Sequence, residues 1–334
     1  MAVQIHHIDK GNGQKHVQYV SEVSAIHEFV QVICEIDRGL IRNGLDQNEI
    51  MLFRGHSDAS YQILPSIGRN RTTSCDITLF NEERNLIEMA KYKLPNVFRN
   101  DMQPLELLAL LQHHGIHTRL LDVTENALVA LFFACCSRDD KDGEVLIFKH
   151  NEYRMPSFPM ACAIADTCRL IADETYSLKW FFETAIAQSY FTEKSKLADT
   201  MLTHEEWAEN WIEGFCRKPI FVYAPIHSIR QQVQRGRYIL FSNRIEEVNG
   251  QKYFMSIIDP IPKDHEVVLG RIKIRMEDKA AILSDLRSFG ISNEALFTDS
   301  IDTVCQGIMA DAKEKNCGRM WANGKPIPLW NSRK

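Results

Sequence analysis

Hydrophobic and polar residues alternate from His16 to Val20, as along a half-buried strand. Ser21 then suits the cap of a helix whose Ala25, Phe29, Val32, Ile33 and Ile36 share one face. Met51-Leu52-Phe53 reads as a short buried strand ending in Arg54-Gly55, where glycine would let the backbone turn sharply and leave the arginine at a strand end. The pattern predicts helices over 82–93 and 104–114. Pro104 suits a first turn, and Gly115 the left-handed residue past a last one. Thr118 to Asp122 leads into a helix over 127–136, capped by Asn126. Leu128, Val129, Leu131, Phe132 and Phe133 make that helix apolar almost all round, which implies deep burial. A turn at 139–143 and a strand over 144–149 follow.

From 150 to about 215 the pattern is helical and aromatic-rich, with Trp180, Phe181, Phe182, Tyr190, Trp207 and Trp211 but no catalytic motif. It reads as an insertion or a helical lid. Strands are expected at 219–223, 237–242, 253–258 and 270–275, with Asn249-Gly250 as the hairpin turn between the middle two. A helix over 277–289 ends at Gly290, and another is expected near 300–313. The expected class is α+β: a mixed or antiparallel β-sheet core, in a continuous or a split arrangement, flanked by helices and carrying the helical insertion. The expected organisation is a flexible N-terminus (1–15), one composite domain (16–315) and a C-terminal tail (316–334). No internal repeat breaks this up.

Composition narrows the function classes. The 334 residues are 45% hydrophobic, enough for a substantial core, and the net charge of −5 argues against a chain coated with positive charge for bulk nucleic-acid binding. The nine cysteines include no Cys-x-x-Cys pair and follow no basic-then-apolar leader, so they read as reduced thiols. No apolar run approaches the ~18 residues of a membrane span. The expected location is the cytoplasm, away from the membrane.

Three polar islands sit where buried elements start or stop. The first is Phe53-Arg54-Gly55-His56-Ser57, with Leu64-Pro65-Ser66 and Arg69. A guanidinium cannot shed its charge, so Arg54 at the end of a buried strand needs an anion, either a ligand phosphate or Asp122. The second runs from Gln112 to Asn126. Its three histidines invite a metal, yet His113 and His114 point to different sides of a helix and His117 lies beyond the glycine, so no face presents two ligands at i, i+4. In the plainer reading Asp122 partners Arg54 or Arg119, while Thr124 and Asn126 make helix-start hydrogen bonds. The third island spans 228–244, with four arginines and no acid, a local +4 that could hold a phosphate or simply be solvated.

Together the islands resemble the FRG domain family, with its aromatic-Arg-Gly start, Gln-His-x-Gly-x-x-Thr-Arg-Leu-Leu-Asp-x-Thr centre and later Arg-x-x-x-Gln-x-Gly-aromatic segment. They are Phe53-Arg54-Gly55, Gln112 through Phe133, and Arg230, Gln234, Gly236 and Tyr238. Leu286, Gly290, Ile291, Leu296 and Phe297 resemble the family's closing helix, so the likeness runs over roughly 20–310. His117 and Val123 stand where the family pattern has proline and tryptophan.

A more distant resemblance, to the ADP-ribosyltransferase fold, implies a role for each motif. Arg54 would grip a phosphate or ribose of NAD, and Thr118 or Thr124 would hold its nicotinamide half. Gln234 would stand where the fold places a late carboxylate. A neutral amide cannot stabilise an oxocarbenium ion by charge, so Asp122 would have to supply it. The resemblances thus imply a catalytic set of Arg54, Asp122 and Gln234. Cofactor contacts would come from Arg54, His114, Thr118, Arg119, Thr124, Arg230, Gln234 and Tyr238, with no metal.

The expected activity is cleavage of the nicotinamide–ribose bond, with transfer to a protein or nucleic-acid acceptor, in a toxin or phage-defence effector. A nucleotide- or nucleic-acid-phosphate-binding module without chemistry is the second reading. Metal-dependent hydrolysis through His113, His114 and Asp122 is the third.

Overall fold

The run Val145-Leu146-Ile147-Phe148 is apolar on both faces, the mark of a strand covered on both sides. In the computed structural model it forms the spine of the fold. The structure describes residues 3–9, 15–42, 49–69, 78–151, 158–170, 175–188, 203, 205–225, 229–296, 321–322 and 325–326. The chain begins with β1 (Gln4–Asp9), β2 (Lys15–Val23), α1 (Ile26–Arg42) and β3 (Glu49–His56). Next come α2 (Glu83–Lys93), α3 (Pro104–His113), β4 (Leu120–Thr124), α4 (Ala127–Cys135) and β5 (Gly143–Asn151). The stretch read as an insertion supplies α5 (Phe158–Leu170), β6 (Tyr176–Ser177), α6 (Leu178–Ile186) and α7 (Glu205–Cys216). β7 (Ile220–Val222), α8 (Ile229–Val233), β8 (Gly236–Leu240), β9 (Ile245–Val248) and β10 (Gln251–Phe254) follow. β11 (Val268–Ile274), α9 (Lys279–Ser288) and α10 (Asn293–Leu296) come next.

Eight strands form one mixed sheet in the order β1-β2-β11-β5-β3-β4-β8-β7. Among the described residues only β2 and β11 pair in parallel. The class is α+β, as the patterning predicts. β5 sends Leu146 and Phe148 into one buried cluster and Val145 and Ile147 into another, so the sheet separates two cores by simple alternation. α1, α4 and α9 cover one face, with Phe29, Phe132 and Ile282 among the residues sealing it. α2, α3, α5 and α6 contribute to the other.

Two expectations change. Ser21 stays in β2, because it pairs with Ile272 of β11; the helix starts later, where the Ser24 amide and hydroxyl both donate to Glu28. Asn249 and Gly250 do turn a hairpin, with φ of 54° and 76°, but between β9 and β10 of a separate three-stranded sheet, β6-β10-β9. In the stretch read as an insertion or a helical lid, the described residues Cys162, Ile164, Phe181, Phe182 and Ile212 are buried in the same cluster as Leu105, Leu108 and Phe148. The helix expected near 300–313 lies outside the described residues. No helix among the described residues is long and apolar enough to cross a membrane.

Candidate functional site

β3 is paired to β5 along its whole length, from Glu49↔Asn151 to His56↔Glu144, yet it meets β4 only at Phe53↔Thr124. β4 instead pairs fully with β8. An open cleft of about 220 Å³ lies at this parting of β3 and β4. Phe53, Arg54 and Gly55 line it from β3, Gln112 and His113 from the end of α3, and Asp122, Val123 and Thr124 from β4. Val129 and Phe133 of α4 form an apolar wall. Arg230, Gln231, Gln234, Gly236 and Tyr238 close it from α8, β8 and the turn between them.

Gly55 does not turn the chain, since β3 continues through it. A Cβ there would meet the Ala130 carbonyl oxygen at 2.0 Å and the Ala134 amide nitrogen at 2.6 Å. Glycine therefore lets α4 lie directly on β3, with Phe53 buried beside it. Alternation then sends Arg54 to the opposite side, where its Nη1 donates to the Asp122 backbone carbonyl at 2.5 Å. Its Nε donates to His56 Nε2 at 3.1 Å.

Arg54 forms no ion pair among the described residues: Asp122 offers it a carbonyl, not its carboxylate. Burial pushes the guanidinium's ionisation down to about 10, with the Asp122 charge opposing that and Arg69 adding to it, so the group stays cationic at neutral pH. Arg69, half-buried and held to the Leu64 carbonyl, feels the same Asp122 charge. Two arginines thus share the field of one exposed carboxylate, and Arg230 lines the same cleft.

Side chains behind the lining fix its shape. Thr124 Oγ1 donates to the Gln234 carbonyl at 2.6 Å and accepts from the Asn126 amide at 3.0 Å, which joins α8 to the start of α4. Asn126 caps α4 by accepting from the Leu128 amide. Gln234 Nε2 donates to the Leu296 carbonyl at 3.0 Å, and Gln231 donates to the Tyr238 hydroxyl at 2.6 Å. Burial, then the Asp122 charge, push the Tyr238 phenol's ionisation up, so it remains protonated.

Arg54, Asp122, Thr124, Arg230, Gln234 and Tyr238 therefore come together, whereas His114, Thr118 and Arg119 do not line the cleft. His114 packs edge-on against Phe98. Thr118 is buried, donating to Gln112 Oε1 at 2.6 Å. Arg119 is fully buried in an ion pair with Glu83, 2.5 Å from Nη2 to Oε2, and also donates to Asn243 and to the Phe241 and Cys168 carbonyls. Its guanidinium lies over the Phe80 ring at 5.0 Å. Burial alone would lower its ionisation, but Glu83 raises it on balance. Sequence reasoning offered Asp122 as a partner for Arg54 or Arg119 and missed Glu83, 36 positions upstream in the first turn of α2.

The local +4 is also smaller than it reads. Arg237 pairs with Glu125 and stacks on Tyr223, and Arg244 pairs with Asp259 and Glu246. No cluster of three or more His, Cys, Asp or Glu side chains among the described residues is placed to hold a metal ion.

No curated protein and no solved structure is significantly similar to the chain. The family model of the FRG domain matches residues 49–143, a shorter stretch than the motif likeness, leaving the Arg230–Tyr238 segment outside. The matched stretch runs from the first residue of β3 to the first of β5 and carries the cleft's β3, α3, β4 and α4 lining. Residues 49–143 of this chain thus resemble the FRG domain.

Proposed function

We propose that the cleft binds a phosphate-bearing nucleotide, NAD being the candidate, and cleaves its nicotinamide–ribose bond. The observation that carries the reading is Arg54: a half-buried cation with two hydrogen bonds to neutral acceptors and no carboxylate partner among the described residues, in a cleft that also holds Arg230 and an exposed carboxylate. An anion is the missing partner, and a guanidinium fork suits phosphate oxygens. At about 220 Å³ the cleft is smaller than the roughly 300–1,000 Å³ usual for whole ligands, so it takes one half of a dinucleotide and leaves the other at the rim.

In this reading Arg54 holds a phosphate and Asp122 faces the ribose. The C1′–N1 bond breaks with its electron pair leaving on nicotinamide. The Asp122 carboxylate stabilises the oxocarbenium ion, and water or an acceptor hydroxyl forms the new C1′–O bond and loses its proton. Gln234 contributes positioning, because its amide nitrogen is engaged by the Leu296 carbonyl.

That same neutral amide, where a carboxylate would assist transfer, favours a second reading in which the nucleotide is bound without chemistry. Incubation with NAD separates the two. The first predicts nicotinamide release that disappears in Arg54→Ala and Asp122→Asn; the second predicts binding with no release in any of them.

A further inference from the structure

We propose that His56 is a positioning residue for Arg54: with the Asp122 carbonyl it clamps the guanidinium so that the rest of the fork is presented to an anion in the cleft. The measurement that decides it needs no ligand; the functional arm alone rests on the nucleotide-binding reading above.

The two residues are i and i+2 on one strand, so their side chains leave the same face of β3. Arg54 Nε donates to His56 Nε2 at 3.1 Å while Nη1 donates to the Asp122 carbonyl at 2.5 Å. Two contacts from different edges of a planar group fix both its position and its plane. Of the five N–H groups a guanidinium carries, the other three have no partner among the described residues. A long side chain held this way has already lost the rotamer freedom that binding would otherwise cost.

His56 is well placed to act as the fixed end. It is 2% exposed, its backbone pairs opposite Glu144, and its ring meets Tyr61 edge-on at 6.0 Å between centroids. A guanidinium has no acceptor, so the imidazole must present a lone pair at Nε2 and carry its proton on Nδ1. Nδ1 is buried and has no partner among the described residues. A buried donor left without an acceptor costs stability, which an apolar residue here would avoid. Among the described residues the imidazole's one hydrogen-bond partner is Arg54. Burial first, then the Arg54 charge, hold its ionisation well below the ordinary histidine value, in keeping with an acceptor role.

The test is the side-chain Nε–H resonance of Arg54 in ¹⁵N-arginine-labelled protein, assigned by its loss in Arg54→Lys. In the wild type it is expected to be resolved and slow to exchange with solvent. His56→Leu should move it to the fast exchange of a free arginine. His56→Asn, polar but too short to reach, should do the same, and His56→Gln, which restores an acceptor, should recover the protected signal. A protected signal that is unchanged in folded His56→Leu or His56→Asn overturns the proposal. So does an unprotected one in the wild type. In the functional arm, ADP-ribose affinity should fall ~10-fold in His56→Leu and recover in His56→Gln. If ADP-ribose fails to bind the wild type, the nucleotide reading falls while the resonance still decides the role of His56.

Discussion

Two arginines in the central region show how a residue's surroundings set its task. Arg119 is saturated: a carboxylate, a side-chain amide, two carbonyls and an aromatic face account for it. Arg54 is left open. Removing one partner of a buried ion pair strands the other charge, so Glu83→Ala should cost ~3–5 kcal/mol in urea unfolding. His56 provides a pH signature. Its folded-state ionisation lies well below 6.5, so below that pH the unfolded chain takes up a proton that the folded one refuses. Stability is fully present above about pH 6.5 and falls below it by up to ~1.4 kcal/mol per pH unit. His56→Gln should remove this component, so that unfolding free energies at pH 7 and 5.5 differ less than in the wild type. An identical pH slope in both proteins would count against a buried neutral imidazole.

At the scale of elements, the contact between β3 and α4 is the tightest constraint on the cleft. The methyl of Gly55→Ala would sit 2.0 Å from the Ala130 carbonyl oxygen, closer than any van der Waals contact allows. The strand and helix must separate, at a cost of ~1–3 kcal/mol or more. Thermal unfolding checks the stability, and the account expects the cleft beside Phe53 and Phe133 to lose its ligand affinity with it. Sequence alone could identify Gly55 as special but gave the wrong reason, because glycine's φ freedom is a local property and the helix crossing over it is not. The same limit runs through the chain. α3 with its Pro104 start and Gly115 stop, α4 with its Asn126 cap, and the left-handed Gly290 after α9 were all legible, since capping and periodicity act within a few residues. β9, Ile245-Glu-Glu-Val, carries too few apolar positions to announce itself. The helices after residue 150 carried no signal saying which face meets α3, so their burial against it was not legible.

At the scale of the molecule, the candidate site is assembled from two distant stretches. The stretch at 49–143 that matches the FRG domain model supplies Arg54 and Asp122, while α8, β8 and the turn between them, outside it, supply Arg230, Gln234 and Tyr238. The Thr124–Gln234 hydrogen bond joins them across 110 positions of sequence. The motif residues pointed to a shared cleft because each fell at an element end. Which of them would turn inward was not legible, and His114, Thr118 and Arg119 serve packing instead. The central claim is that Arg54 makes this cleft an anion-binding nucleotide site, and titration of ADP-ribose into wild type and Arg54→Ala tests it most directly. Loss of charge-assisted hydrogen bonds worth ~1.5–3 kcal/mol predicts wild-type binding that weakens roughly 10–100-fold in the variant while its thermal unfolding is retained. Equal affinity in the two proteins, or no binding to the wild type, would contradict it.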